Sequence, residues 1–203
     1  MTLLGLDFDN TLVRYDNLFH QLALKQGLID SAIPADKTSI RDYLRSKGND
    51  EAFTRLQGEV YGLHILEAEP AEGMLEALSK IQEKGIKIVI ISHKTQFPYS
   101  GPKVDLRKAA LNWLYKYDFF SRDGLNLNYE EVYFEPSKKE KISKILSLRC
   151  THYIDDLPEI ANSLSELHQT FLYCPNASSE EKHDVNYVML RTWNELNTKF
   201  EPK

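Results

Sequence analysis

A chain of 203 residues with 42% hydrophobic and 27% charged side chains can bury one ordinary core and carry a modest insertion besides. A net charge of −5 with scattered lysines and arginines excludes a nucleic-acid-binding signature, and no window reaches the length of a membrane span. The first apolar run is broken at Asp7 and has no basic lead, which predicts a cytoplasmic protein; Cys150 and Cys174, without CxxC spacing, read as buried reduced thiols.

The chain opens on Leu3-Leu4-Gly5-Leu6, an apolar run that ends in Asp7 and Asp9 and then in the turn formers Asn10 and Thr11. Residues i and i+2 of a strand share a side, so both carboxylates can face one volume beyond the strand's carboxyl end. From Tyr15 to Ala68 the apolar spacing is helical, with turns marked by Pro34 and Gly48; Gly58 and Gly62 either weaken the third helix or admit another element closely.

Strand and helix alternate from Pro70 onward. A helix over 71–84 stops at Gly85 and leads into the β-branched run Ile86–Ile91, which ends in Ser92-His93-Lys94. A loop rich in Pro and aromatics and a helix carrying Trp113 follow, then a strand over 131–134. Ser137-Lys138-Lys139-Glu140 has capping-box spacing, which opens a helix with Lys138 in its first turn. A strand over 151–154 empties into Asp155-Asp156, and Pro158 opens the next helix. A strand over 171–173, a short edge strand over 187–190 and a helical tail over 192–200 complete the pattern. Such repeats predict an α/β fold, a Rossmann-like parallel sheet with helices on both faces. The predicted domains are 1–14 with 69–203 as the core and 15–68 as a helical insertion.

Asp7-Phe8-Asp9-Asn10-Thr11, Ser92, Lys138 and the pair Asp155-Asp156, each at a strand or helix end and in this order, resemble motifs I to IV of the haloacid dehalogenase-like (HAD) hydrolase superfamily. The resemblance covers nearly the whole chain outside the insertion. It implies a sheet in the order 5-4-1-2-3, a small helical cap over 15–68, and Mg2+-dependent attack of an aspartate on phosphorus.

What it implies residue by residue is a phosphatase. Asp7 is the nucleophile, and Asp9 protonates the leaving oxygen and then takes a proton from water. Ser92 and Lys138 contact the phosphoryl oxygens, with Lys141 as the other candidate lysine. Mg2+ is held by Asp7, Asp155 and Asp156 and by the main-chain carbonyl of Asp9, with Glu159 standing where many relatives carry a further acid. Asn10, Thr11, His93 and Lys94 are expected to bind a small phosphorylated substrate, and Tyr15, His20, Tyr61 and His64 are cap candidates that could equally be packing. An acid at Asp9 favours phosphate esters over halides, since halide leaves without a proton. The same residues would serve a phosphotransferase, and a HAD-like binding protein without turnover is the third reading.

Overall fold

The computed structural model describes residues 2–177 and 186–200. In chain order the elements are β1 (Leu3–Leu6), β2 (Val13–Arg14), α1 (Asp16–Lys25), α2 (Lys37–Ser46), α3 (Asp50–Gly58), β3 (Glu69–Pro70), α4 (Met74–Glu83) and β4 (Lys87–His93). Then come α5 (Leu106–Lys116), β5 (Val132–Glu135), α6 (Lys138–Ser147), β6 (His152–Asp155), α7 (Pro158–Ser163), β7 (Gln169–Tyr173), β8 (Tyr187–Leu190) and α8 (Leu196–Lys199). No helix among the described residues is long and apolar enough to cross a membrane.

The chain divides into two compact units, of which the first comprises 1–13, 70–94 and 118–203. Its sheet runs β5-β4-β1-β6-β7-β8 with every pairing parallel. Numbered along the chain, its strands lie in the expected order 5-4-1-2-3, with β8 added as a sixth strand beside β7. A parallel strand buried on both faces must be apolar throughout, and β1 and β4 meet that demand: Leu4, Leu6, Ile90 and Ile91 are fully buried.

Gly5 of β1 has a specific reason. A Cβ there would lie 2.6 Å from Cδ2 of Tyr153 on β6 and 3.2 Å from the Cys150 sulfur. The Tyr153 ring thus passes over β1 at its glycine, and its hydroxyl donates to the Ile91 carbonyl of β4 at 2.5 Å. This ties strands on either side of β1 and joins Tyr153 to a core of Val89, Ile91, Ile145, Ile160 and Leu164. Cys150 belongs to that core and its thiol is pushed up to about 11 by burial, whereas Cys174, expected to be buried, is half-buried.

The second unit comprises 14–69 and 95–117. The boundary predicted from sequence, with 15–68 alone set apart, is therefore drawn differently: the loop after Lys94 and α5 belong with the helices of the insertion. Two details account for it. Trp113 Nε1 and the Tyr117 hydroxyl both donate to the Ala68 carbonyl, at 2.9 and 3.2 Å. A Cβ on Gly58 would come within 2.8 Å of Pro98, so the glycine admits the 97–101 loop. After α3 the helix widens into a π turn over Glu59–Leu63. Asp36 and Asp105 cap α2 and α5 by accepting from the main-chain N–H three residues on, at 2.8 and 2.9 Å.

The four residues of the insertion singled out as cap candidates all have partners inside this unit. Tyr15 is buried edge-on against Tyr61 at 4.8 Å, His20 meets the Ile33 carbonyl at 3.0 Å, and His64 pairs with Glu67 at 2.7 Å.

Candidate active site

Beyond β1 the chain turns within a few residues. Asp7 still donates its N–H to the Ile154 carbonyl of β6 at 2.9 Å, and Phe8 accepts from Leu12 and Val13 at 3.0 and 3.2 Å. Asn10 sits at φ 57°, a left-handed conformation that asparagine tolerates better than most side chains. Phe8 anchors the turn, buried edge-on against Phe134 at 6.0 Å.

Asp7, 4% exposed, is the hub. Its Oδ1 accepts from the Ser92 hydroxyl at 2.8 Å and from Lys141 Nζ at 2.5 Å, and its Oδ2 accepts from Thr11 at the long distance of 3.5 Å. Lys141, 2% exposed, also donates to Asp155 Oδ2 at 2.6 Å and lies 5.6 Å from the Tyr153 ring centre. Burial opposes its charge, but Asp7 and Asp155 outweigh burial and hold the ammonium well above the ordinary lysine range. Burial first, then the charges of Asp155 and Asp7, push the Tyr153 hydroxyl up as well.

The lysine expected here, Lys138, is elsewhere. Ser137 does cap α6, accepting from Glu140 N–H, and Lys138 is the first helical residue; its exposed ammonium pairs with the equally exposed Glu159. That pair draws off Glu159 too, holding its carboxyl below the usual range. Lys141 lies one turn deeper on the face that carries Ile145, about 4.5 Å further along the axis by helical rise, and that turn reaches the strand ends.

Asp155 ends β6 fully buried, with its Oδ1 accepting from Leu157 N–H at 2.9 Å. Half-buried Asp156 accepts from Asn10 Nδ2 at 3.1 Å. Oxygens of Asp7, Asp155 and Asp156 lie within 4.8 Å of one another. At that spacing two like charges repel by about 3 kcal/mol at an effective dielectric of roughly 20. Burial, then the charge of Asp7, pushes the Asp155 carboxyl up to about 7 against the pull of Lys141. Asp156 is pushed up to about 8 by burial, Asp7 and Asp155. A compact all-oxygen donor set with more negative charge than Lys141 neutralises fits a hard divalent cation such as Mg2+.

Asp9 is not part of that acidic group, so its side chain does not join the set; the expected main-chain carbonyl is the donor that remains to it. Both of its carboxylate oxygens accept from Lys94 Nζ, at 2.9 and 2.8 Å. Lys94 is therefore brought to the site, paired with an acid. His93 is not: its ring nitrogen meets the Pro136 carbonyl at 3.1 Å. Asn10 and Thr11, expected to bind substrate, contact Asp156 and Asp7. Tyr153 and the main-chain N–H of Leu157 were not singled out by the sequence; the one signal for Tyr153 was a glycine inside an otherwise bulky strand.

No protein-family model matches the chain, and no curated protein matches it. Solved structures do. The HAD-hydrolase YfnB from Bacillus subtilis, in a form bound to magnesium, is similar at a TM-score of 0.59 and 12% identity over 99% of each chain. A HAD family hydrolase from Deinococcus radiodurans R1 with bound phosphate and sodium is similar at 0.58 and 14%, over 97% of this chain and 93% of that one. A dehalogenase with an intermediate complex is similar at 0.59 and 10%, over 100% and 98%. The chain has the haloacid dehalogenase-like fold.

Proposed function

With that fold as premise, we propose that the protein is a Mg2+-dependent phosphohydrolase that acts on a small phosphorylated metabolite through a phosphoaspartate on Asp7. The observation that carries the reading is the setting of Asp7. Ser92 and Lys141 both hold Oδ1, which leaves Oδ2, with its long contact to Thr11, as the oxygen to attack phosphorus. Lys141 fixes the carboxylate's rotation and offsets part of the charge an anionic substrate would meet.

Asp7, Asp155 and Asp156 would hold Mg2+, which supplies the positive charge that lets a carboxylate approach a phosphoryl group. Asp9, as the carboxylate of its ion pair, is the base that takes a proton from the water attacking the phosphoaspartate. Displacement of halide from carbon needs no cation between nucleophile and substrate, so the acidic group favours phosphorus over carbon as the centre attacked.

Phosphate release from a panel of phosphorylated metabolites, with Mg2+ and with EDTA, tests this. Turnover is expected with Mg2+ alone, and Asp7→Asn is expected to fold and to be inactive. Equal turnover in EDTA, or activity surviving Asp7→Asn, rejects it. Transfer of the phosphoryl group to an added alcohol in place of water would identify a phosphotransferase.

A further inference from the structure

The register of β1 against β6 sets Tyr153 beside Gly5. Two residues further along each chain stand Asp155 and Asp7, and residues i and i+2 of a strand share a side. The row that carries Tyr153 is therefore the one just before the row of carboxylates. Lys141 joins those carboxylates, donating to Asp7 Oδ1 at 2.5 Å and to Asp155 Oδ2 at 2.6 Å, and its Nζ lies over the Tyr153 ring, 5.6 Å from its centre. At that distance the negative face of the ring attracts the ammonium. The ring is wholly buried, and it has room only because position 5 carries no Cβ, which would meet it at 2.6 Å. The other end of the same side chain reaches the second group on Asp7. The Tyr153 hydroxyl donates to the Ile91 carbonyl, which belongs to the peptide joining Ile91 to Ser92. That peptide is planar, so holding its oxygen also holds the Cα of Ser92, whose hydroxyl donates to Asp7 Oδ1 at 2.8 Å.

We propose that Tyr153 is the positioning residue of the nucleophile: its ring fixes Lys141 and its hydroxyl fixes the Ile91–Ser92 peptide, so that both donors keep Asp7 Oδ1 engaged and Oδ2 aimed at phosphorus. The proposal rests on the phosphohydrolase reading. Tyr153 acts through Lys141 and Ser92 and touches no reacting atom. What it controls is the rotation of the attacking carboxylate, which matters in the transition state and not in the binding of substrate. Its loss should therefore fall on kcat and leave KM in place. Rate is steep in this coordinate, since misplacing a reacting group by about 1 Å costs about 10²-fold.

The test separates the two ends of the side chain. Tyr153→Phe keeps the ring under Lys141 and deletes the hydroxyl, Tyr153→Leu deletes both, and Leu164→Ala, in the same core, is the control for lost packing alone. Rates with Mg2+ are read on p-nitrophenyl phosphate and on the fastest substrate of the metabolite panel, at a temperature where circular dichroism shows every variant folded. We expect kcat to fall about tenfold in Tyr153→Phe and about 10²-fold in Tyr153→Leu, with KM within about twofold of wild type and Leu164→Ala at the wild-type kcat. In EDTA, hydrogen exchange over 91–94 should quicken in Tyr153→Phe more than over 87–90, a local loosening that a general loss of stability does not produce. Wild-type kcat in Tyr153→Phe, no further loss in Tyr153→Leu, an equal loss in Leu164→Ala, or exchange over 91–94 that stays unchanged each overturns the proposal. Should Tyr153→Leu fail to fold, Tyr153→Phe and the exchange comparison decide. A wild-type protein that turns over no substrate overturns the phosphohydrolase reading and this one together, whereas an active wild type matched by Tyr153→Phe overturns only this one.

Discussion

Replacing Lys141 by methionine removes the cation between Asp7 and Asp155 while keeping most of the side chain's volume. Lys141, Asp7 and Asp155 have side chains 2%, 5% and 0% exposed, so solvent does little to screen the loss. Breaking a buried pair from one side costs about 3–5 kcal/mol. For a chain of this size each kcal/mol lowers Tm by about 2–4 °C, so the expected drop is about 6–20 °C. Lys138→Ala breaks a pair whose side chains are 48% and 58% exposed, worth about 0–1 kcal/mol. Its Tm should fall by no more than about 4 °C. Thermal unfolding followed by circular dichroism in EDTA separates the two. The Lys141→Met drop should be larger at pH 8 than at pH 5, because at the lower pH protonation of Asp155 and Asp156 removes the charges left without a partner. A Lys138→Ala drop equal to that of Lys141→Met, or a Lys141→Met drop under about 2 °C, would refute the assignment of the buried lysine.

Asp155 and Asp156 are raised in the folded protein to about 7 and about 8 from an unfolded value of 3.8. The folded state therefore binds their protons more tightly, and the metal-free protein should lose stability as pH rises from about 4 to about 8. Denaturant titrations in EDTA across that range check the sign. Mg2+ at about 100 times its Kd should add about 2.7 kcal/mol; at one fixed Mg2+ concentration the gain should be larger at pH 8, where protons compete least. Gly5→Ala would place its methyl 2.6 Å from the Tyr153 ring; overpacking of this kind costs about 1–3 kcal/mol, read as a lower urea midpoint. If the unit of 14–69 and 95–117 acts as the cap expected of 15–68, hydrogen exchange should slow in both segments on adding fluoroberyllate with Mg2+. Slowing confined to 15–68 would count against treating α5 as part of it.

Much of the site was legible because it depends on local rules. A short apolar run that ends in Asp7 and Asp9, a β-branched run that ends in Ser92, and a strand ending at Asp155 each declare a strand terminus. A parallel sheet then gathers such termini at one edge. The capping box placed the start of α6 correctly at Ser137. Secondary structure was harder to bound at α7, where helical spacing extends to Leu167 but the helix ends at Ser163.

Tertiary structure decided what depends on reach and on which surfaces meet. Lys138 and Lys141 stand three residues apart in one helix, and local spacing cannot say which of them reaches the buried carboxylates. The depth at which α6 packs on the sheet settles it, leaving Lys138 in solvent and carrying Lys141 to Asp7. Lys94 looked like a residue of a loop that greets substrate, but just past the end of β4 its ammonium reaches both carboxylate oxygens of Asp9. The sequence showed that α5 is a helix with an apolar face; only the fold showed that Trp113 on it bonds to Ala68. The physical reason is common to all three. Periodicity and capping are properties of neighbours in the chain, whereas a side chain's partner is set by packing between elements far apart in sequence.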